Sequence, residues 1–544
     1  MSIRRQIIEI DGRRNHLRYA GSGPPVLLLH QSPQTSATQL TLMEELAPKY
    51  LVVAPDTPGF GLSDLLPQDQ PRIADFADNL QRVLEELGIR QALVMGVHTG
   101  AQIAMALADQ HPDAVAHMVL DGVPAFNQLE QAHILSGYFE PNPPRWDGSH
   151  LIQLWGKIAE QTIFFPWFDQ RPAARMTLNQ APPEVWDGYI HDYLYAGEDY
   201  KIGYGAAFSW DAVPVAERIT RPCHILFRRG DPLENTADRL SGVPEGVSIE
   251  SIDMNPEVVR ARVREIFDQV TAGPALEAVE PTPCRVDSFV GDEFGQWRVR
   301  QFGDADRSLL LLHDLGGSGD SAAEFAAELQ KAGDDAYRVV LPDLPFHGET
   351  GPLQAAADDL EAIARAVHEQ FVDEHCLGLV ALGGAAAIAA HMQNLTPAVP
   401  VALHQPLCPD GVPLDAARWW PLLPMDDCGA HLLRRWRQLR HAQLFFPWYD
   451  NTANGAVRST RPPDPESLQQ QLFDALRCGE HATGLWRAAI ESELSSLLGE
   501  AKLTTGIEGR PESSAAARLQ TVSDLNAAAS AHAHAALELL RVNG

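Results

Sequence analysis

One histidine of the chain lies in a sequence context that could make it reactive. His98 lies in the stretch ALVMGVHTGAQIA (92–104), two residues from Gly96 on one side and from Gly100 on the other. An apolar run, a turn framed by glycines and a run of small residues predict a strand that turns sharply into a helix, because a Cβ at either glycine would collide with the adjoining elements. The apex residue then projects beyond the strand. An imidazole titrates at about pH 6.5, so at neutral pH it is mostly a free base that could attack an electrophilic carbon or take up a proton.

Two acidic residues are candidates to orient this imidazole. Asp121 ends the apolar run HMVLD (117–121), and Asp231 follows a second apolar run, CHILFRRGD (223–231). A carboxylate that accepts the Nδ1 proton of an imidazole raises the basicity of the other ring nitrogen, and the sequence leaves open which carboxylate does so. Zinc also accepts ligands such as His30, His98 and Asp121, but their spacing is not that of a compact metal motif. We predict neither a metal nor a cofactor.

The neighbouring segments predict the elements that position these residues. A buried strand, VLLLH (26–30), breaks at the loop QSP, and a second strand, LVVAPD (51–56), runs into a glycine-rich turn. Apolar residues at helical spacing between 73 and 87 predict a helix that leads into the strand before His98. Strands that alternate with helices in this order imply a parallel, doubly wound sheet. Ligands of such a sheet bind beyond the carboxyl ends of its strands, where His30, His98 and Asp121 fall.

These motifs resemble those of the α/β-hydrolase fold superfamily. The stretch GVHTG is similar to the family's nucleophile elbow, G-x-S-x-G, with histidine where the attacking serine is expected. The segment after the second strand matches the family's D-x-x-G-x-G-x-S pattern at Asp56, Gly59, Gly61 and Ser63. The resemblance implies the α/β class, with a helical cap inserted after the strand that ends at Asp121.

The resemblance also implies roles for residues around the elbow. The backbone N–H groups of Thr99 and Gln31 would form an oxyanion hole, and Thr99 would also cap the helix that follows. His30 would lead the loop that carries Gln31, either as a turn former or as a substrate contact, and Asp231 would take the place of the triad acid. Where the family has Gly-His after its last strand, this chain has Asp-Met-Asn (253–255). The usual base position is therefore empty, and ordinary Ser-His-Asp hydrolysis is not predicted.

The same motifs occur twice along the chain. After a Pro/Ala/Glu linker (273–285), SLLLLHDLGG repeats VLLLHQSP, CLGLVALGGAAAIAA repeats the elbow stretch, and segment 429–450 aligns without a gap with segment 148–169. A repeat of this length predicts a tandem duplication. The two domains would span 1–272, with a cap at 126–212, and 286–544, with a cap at 407–490. Each would be an α/β-hydrolase-like domain with a doubly wound, mostly parallel sheet and a helical cap.

The second copy lacks reactive side chains at the predicted apex. Gly383 stands there, or Ala385 if the glycines are matched instead, and Glu508 is the candidate for the place of Asp231. Neither apex residue can attack or transfer a proton, so we predict that the second domain is catalytically inactive.

The composition limits the partners. The chain has 544 residues, 72 acidic against 42 basic, and a formal net charge of −30. Such a surface repels nucleic acid and anionic membranes, so we expect a small-molecule substrate and neither of those partners. Six cysteines without a C-x-x-C pair favour reduced thiols and a cytoplasmic location. We expect the two domains to pair within the chain, and a homo-oligomer is left open.

Together these features predict an atypical enzyme with the α/β-hydrolase fold. The aromatic-rich cap favours a small apolar or aromatic carbonyl substrate, because such lids enclose such molecules. The expected reaction is cleavage of an ester, a lactone or a C–C bond, with His98 as base or nucleophile. Two alternatives stay open: a lyase that abstracts a proton on the same scaffold, and a non-catalytic binding or scaffold protein.

Overall fold

The computed structural model of the chain describes residues 2–270, 272–292, 295–352, 356–404, 407, 414–457, 462–492, 533, 536 and 537. The chain divides into two compact units. One comprises Met1–Pro143 and Gln153–Cys284, and the other comprises Pro144–Ile152 and Arg285–Gly544.

The described part of the first unit holds an eight-stranded sheet. Its strands are β1 (Arg4–Ile10), β2 (Arg13–Ala20), β3 (Pro25–Leu29), β4 (Leu51–Pro55), β5 (Ala92–Val97), β6 (Val115–Asp121), β7 (Cys223–Arg228) and β8 (Val247–Ile252). Their order is β1-β2-β4-β3-β5-β6-β7-β8. The pairs β1–β2 and β2–β4 are antiparallel, and the remaining pairs are parallel. Val97 pairs with Asp121, so β5 and β6 end at the same edge of the sheet.

The central strands are covered on both faces. β3, β4 and β5 are buried along their whole lengths. Leu27 and Leu29 belong to one apolar cluster and Val26 and Leu28 to another, because successive side chains of a strand point to opposite faces. Burial on both sides explains why these strands appear in the sequence as continuous apolar runs.

Nine helices accompany this sheet in the described residues. They are α1 (Leu40–Leu46), α2 (Ile73–Glu86), α3 (Thr99–Gln110), α4 (Gln128–Gly137), α5 (Ser149–Gln161), α6 (Pro183–Ala196), α7 (Tyr200–Ser209), α8 (Val213–Ala216) and α9 (Pro256–Gln269). Helices α4 to α8 come between β6 and β7, the place where the cap is predicted, and residues 126–212 are called the cap segment below. Helix α3, which follows His98 directly, buries ten of its twelve residues.

The second unit repeats this design. Its described strands are β9 (Asp287–Asp292), β10 (Gly295–Phe302), β11 (Ser308–Leu312), β12 (Arg338–Pro342), β13 (Cys376–Leu382) and β14 (Val401–His404). Their order, β14-β13-β11-β12-β10-β9, is that of β6-β5-β3-β4-β2-β1 in the first unit. Its described helices are α10 (Ala323–Ala332), α11 (Leu360–Phe371), α12 (Ala386–Leu395), α13 (Ala416–Trp419), α14 (Ala430–Ala442), α15 (Pro465–Cys478) and α16 (His481–Glu491).

The predicted fold class is therefore confirmed: the chain holds two α/β units in tandem, each with a mostly parallel sheet and helices. A separate observation concerns membranes. None of the helices within the described residues is both long enough and apolar enough to cross one.

Candidate active site

The first elbow has the sharp corner that its glycines predict. A Cβ at Gly96 would lie 2.4 Å from the carbonyl oxygen of Gly100, and one at Gly100 would lie 2.4 Å from that of Leu29. Between them, His98 has φ +47° and ψ −107°. A residue with a side chain is strained in that region by about 1–3 kcal/mol, and such strain persists where the surrounding structure imposes it. His98 is the N-cap residue of α3, and Thr99 is its first helical residue rather than the predicted cap.

The imidazole of His98 faces Asp231. Its Nε2 lies 3.6 Å from Oδ2 of Asp231, which is ion-pair distance rather than a short hydrogen bond. The other carboxylate oxygen, Oδ1, accepts the backbone N–H of Leu233 at 2.8 Å. Burial alone would raise the pKa of Asp231, but the adjacent His98, the Leu233 N–H and the Arg228 guanidinium together lower the pKa below its usual value. The nitrogen that faces the carboxylate is thus Nε2 and not the predicted Nδ1.

A glycine makes room for the ring. A Cβ at Gly122 would lie 2.6 Å from Cδ2 and 2.8 Å from Nε2 of His98, and Gly122 has φ +70°. Only a residue without a side chain fits both demands at low cost. The contact of Gly122 with His98 was not predicted from the sequence.

Asp121 does not share the imidazole with Asp231. Its carboxylate is fully buried and accepts bonds from Arg228, with Nε at 3.0 Å from both oxygens and a further contact from Nη2. Only its backbone reaches the elbow: the carbonyl oxygen of Asp121 accepts the N–H of His98 at 2.9 Å. Because a guanidinium that binds both oxygens satisfies a carboxylate well, Asp121 is a structural partner of Arg228. The sequence analysis did not single out Arg228.

Both ring nitrogens of His30 form hydrogen bonds, one within its own loop and one to the loop after β4. Its Nε2 accepts the N–H of Thr57 at 2.8 Å, and its Nδ1 donates to the carbonyl of Gln31 at 3.0 Å. Burial lowers the pKa of His30, in keeping with a neutral ring that donates at one nitrogen and accepts at the other. Both ring nitrogens are thus hydrogen-bonded to the backbone, an arrangement that favours the turn-forming alternative over the substrate contact.

Gln31 links the loop after β3 to the cap. Its side-chain Nε2 donates to Oε1 of Gln34 at 2.7 Å and to the hydroxyl of Tyr189, on α6, at 3.0 Å. Thr99 is buried, and as the first residue of α3 its N–H lies in the turn where helical amides have no intrahelical acceptor. The structure thus brings His98, Thr99 and Asp231 together, while the Gln31 side chain turns toward the cap.

Two cavities lie beside the elbow. One of about 400 Å³ is lined by Asp231 and Gly230 and by residues of the cap segment, among them Phe126 and Phe165, whose rings stack at 5.8 Å. The other, of about 220 Å³, is lined by Gln31, Val97 and Arg228 on the opposite side of β5. His98, with 31% of its side chain exposed, lines neither cavity.

The second elbow has a similar backbone conformation at its apex and different contents. Gly383 has φ +52°, so it, and not Ala385 with φ −65°, occupies the apex. The space around it is filled: a Cβ at Gly383 would lie 2.3 Å from Cγ of Asp314, and one at Gly384 would lie 2.7 Å from the ring of Trp486. Glu508, the candidate acid of this copy, lies outside the described residues.

The sheet order and the sharp strand-to-helix corner are those of an α/β-hydrolase fold in each unit, and the first unit also has helices between β6 and β7. Sequence comparison agrees. A family profile described as alpha/beta hydrolase fold matches residues 24–158, and one described as alpha/beta hydrolase family matches residues 309–531. The chain belongs to this family through both of its halves.

Individual relatives are matched in part. A 2-hydroxymuconate semialdehyde hydrolase of Pseudomonas sp. is 38% identical over 123 residues, which cover 22% of this chain and 43% of that protein. A haloalkane dehalogenase of Mycobacterium marinum is 28% identical over 241 residues, which cover 40% of this chain and 72% of that protein. Three mycobacterial relatives are 34% identical over 115 residues, and this chain covers about a third of their length. The solved structure of epoxide hydrolase A from Mycobacterium thermoresistibile is 18% identical and has a TM-score of 0.39, with 50% of this chain and 100% of that chain covered.

Proposed function

We propose that the first domain is a hydrolase in which His98 is the general base, oriented by Asp231, and that the second domain does not catalyse. The observation that carries this proposal is the strained apex: an imidazole held at φ +47° with a carboxylate 3.6 Å from its Nε2. Its fold and the hydrolases among its relatives support the general reaction class.

The orientation of the ring favours a base over a nucleophile. Because Nε2 faces Asp231, Nδ1 is the nitrogen left to act, and among the described residues it has no hydrogen-bond partner. Nδ1 adjoins Cβ and the main chain, so a bulky carbonyl carbon approaches it poorly while a water molecule can reach it. His98 would take a proton from water, the water oxygen would attack the carbonyl carbon, and the imidazolium would return the proton to the leaving group. The carboxylate of Asp231 stabilises that imidazolium.

The larger cavity suggests the substrate. Its wall includes the stacked rings of Phe126 and Phe165 and also charged side chains, among them Arg239 and Asp231. A small ester, lactone or β-diketone with an apolar or aromatic part suits the rings, a polar part can face the charged side chains, and the carbonyl group would have to reach toward His98.

The test compares His98→Ala with a matched control. His111 ends the same helix, and its Nε2 also faces a carboxylate, that of Asp78, at 2.7 Å. With a panel of activated esters, lactones and β-diketones, we expect His98→Ala to lose about 100-fold or more in kcat and His111→Ala to stay within about twofold of the parent. Equal rates for the parent and His98→Ala would exclude His98 as the base.

The second candidate function is a binding protein without catalysis. It is favoured by one observation, that His98 lines neither described cavity. A parent protein that turns over no member of the panel, yet is stabilised on heating by an aromatic ester, would establish this function instead.

A further inference from the structure

The second elbow holds a carboxylate where an elbow enzyme would stabilise negative charge. Oδ1 of Asp314 accepts the backbone N–H of Gly384 at 2.7 Å and that of Leu315 at 2.8 Å. Gly384 is the residue after the apex, and Leu315 lies on the loop after β11. In this fold an oxyanion hole is made by one N–H from each of these two places.

The correspondence with the first unit is fixed by hydrogen bonds. His313 donates from Nδ1 to the carbonyl of Asp314 at 2.8 Å and accepts the N–H of Leu344 at Nε2, also at 2.8 Å. His30 makes the same pair of bonds one unit earlier, with Gln31 and Thr57. Position 314 is therefore the counterpart of position 31, and Leu315 that of Ser32.

The carboxylate of Asp314 is held by backbone amides and not by a cation of the described residues. Among the residues that the structure describes, no lysine, arginine or histidine nitrogen lies within 4 Å of it. Burial raises the pKa of Asp314 to about 6, although the N–H groups of Gly384 and Leu315 act in the other direction. A buried charge with two amides as its main support is costly, so its place in the fold calls for an explanation beyond stability.

We propose that Asp314 is an internal ligand that fills the oxyanion hole of the second domain, and that the residue at this position decides whether the hole of each domain is closed or open. In the first domain the counterpart, Gln31, directs its side chain to Gln34 and Tyr189. The hole there is then formed by the N–H groups of Thr99 and Ser32, rather than by Thr99 and Gln31. It is open to a carboxylate or to the oxyanion of a reacting carbonyl group.

Two further observations support this assignment. In the second unit the rings of Trp420 and Trp486 stack at 5.9 Å, and a Cβ at Gly316 or Gly384 would lie within 3 Å of one of them, so aromatic side chains cover the filled hole. In the first unit Ser32 is buried, and its hydroxyl has no hydrogen-bond partner among the described residues.

Closure of the second hole can be measured without any substrate. Gly316–Gly317 and Gly383–Gly384 are the two Gly-Gly pairs of the sequence. Full-length protein labelled with carbonyl-¹³C, ¹⁵N-glycine therefore gives two amide signals in a carbonyl-filtered NMR spectrum, those of Gly317 and Gly384, and Gly317→Ser assigns both by removing one. We expect the Gly384 signal to titrate with a midpoint near pH 6, and Asp314→Asn to abolish that titration. A Gly384 signal that does not move between pH 4 and pH 8, or that titrates equally in Asp314→Asn, would overturn the proposal.

The open hole of the first domain is tested by a swap, which rests on the proposed function. Gln31→Asp places the plugging side chain in the first domain, and Gln31→Asn loses the same contacts to Gln34 and Tyr189 without the charge. We expect turnover by Gln31→Asp to fall at least 30-fold below that of Gln31→Asn. Equal turnover would overturn the part of the proposal that concerns the first domain. A parent protein without turnover would instead refute the proposed function. The Gly384 titration would still show whether Asp314 fills the hole of the second domain.

Discussion

The two elbows of this chain have nearly the same φ at the apex and differ in the side chains around it. His98 and Gly383 adopt φ +47° and +52° at the same point, between a buried parallel strand and a helix. The second elbow has given up the strain by placing glycine at the apex, whereas the first retains a histidine there at a cost of about 1–3 kcal/mol. The corner is imposed by strand and helix packing and persists without a reactive group, so the fold alone does not indicate catalysis. The proposed catalysis rests instead on the strained side chain of His98 and the carboxylate that faces it.

The largest expected effect is on the free energy of unfolding and comes from the carboxylate of Asp314 in the second elbow. The folded-state pKa of Asp314 is raised to about 6 from an ordinary 3.8, so ionisation opposes folding. The parent should lose up to about 3 kcal/mol of unfolding free energy as the pH rises from about 4 to above 6. Asp314→Asn lacks this loss, so its stability relative to the parent should increase across that interval. Denaturant unfolding at pH 4.5 and pH 7.5 measures the difference; an Asn variant whose relative stability is the same at both would contradict the buried, uncompensated carboxylate.

The second largest expected effect is on kcat and comes from Asp231, the acid that faces His98 in the first elbow. Asp231→Asn removes the charge that stabilises the imidazolium, and we expect kcat to fall about 10- to 100-fold while the fold is kept. Asp253→Asn is the matched control, because that carboxylate is more than half exposed and pairs with Arg229. If both variants kept the rate of the parent, His98 would have to work without Asp231.

The smallest expected effect concerns Gly122, which leaves space for the imidazole of His98. Gly122 and Gly88 have nearly the same φ, +70° and +67°, but a Cβ at Gly88 has no atom within 4 Å, whereas one at Gly122 meets His98. Backbone strain should make each substitution by alanine cost about 1 kcal/mol in stability, and the contact with His98 should add to that cost at Gly122. Only Gly122→Ala should also lower kcat, about tenfold, because it displaces the imidazole. Thermal unfolding and turnover of the two variants separate strain from displacement, and equal turnover would show that Gly122 does not position the ring.

The sequence was sufficient for the architecture. Apolar runs, the glycines at 96 and 100 and the long repeat predicted two tandem α/β units, because strand burial and tight corners leave local patterns. The Asp121–Arg228 pair was missed because it joins neighbouring strands whose residues are 107 positions apart. Local patterns carry no signal for that pairing.

The filled hole escaped sequence reasoning for a different reason. Asp314 stands in a histidine-led loop that predicts a turn, and nothing in the letters HDLGG shows that its carboxylate reaches the N–H of Gly384, seventy residues further along. Asp314 can be matched to Gln31 only through the structure, because His313 and His30 form the same pair of hydrogen bonds in the two units. Duplication then acted as an internal reference for the site.

The most direct test of the account is rescue of the first elbow by free imidazole. His98→Gly makes the first apex resemble the second, and removal of the ring leaves space beside Asp231 and Gly122. We predict that this variant loses about 100-fold or more in kcat, keeps its thermal stability within a few degrees, and regains activity in a saturable manner as imidazole is added. A His98→Gly variant that turns over substrate as fast as the parent before any imidazole is added would contradict the central claim that His98 is the base.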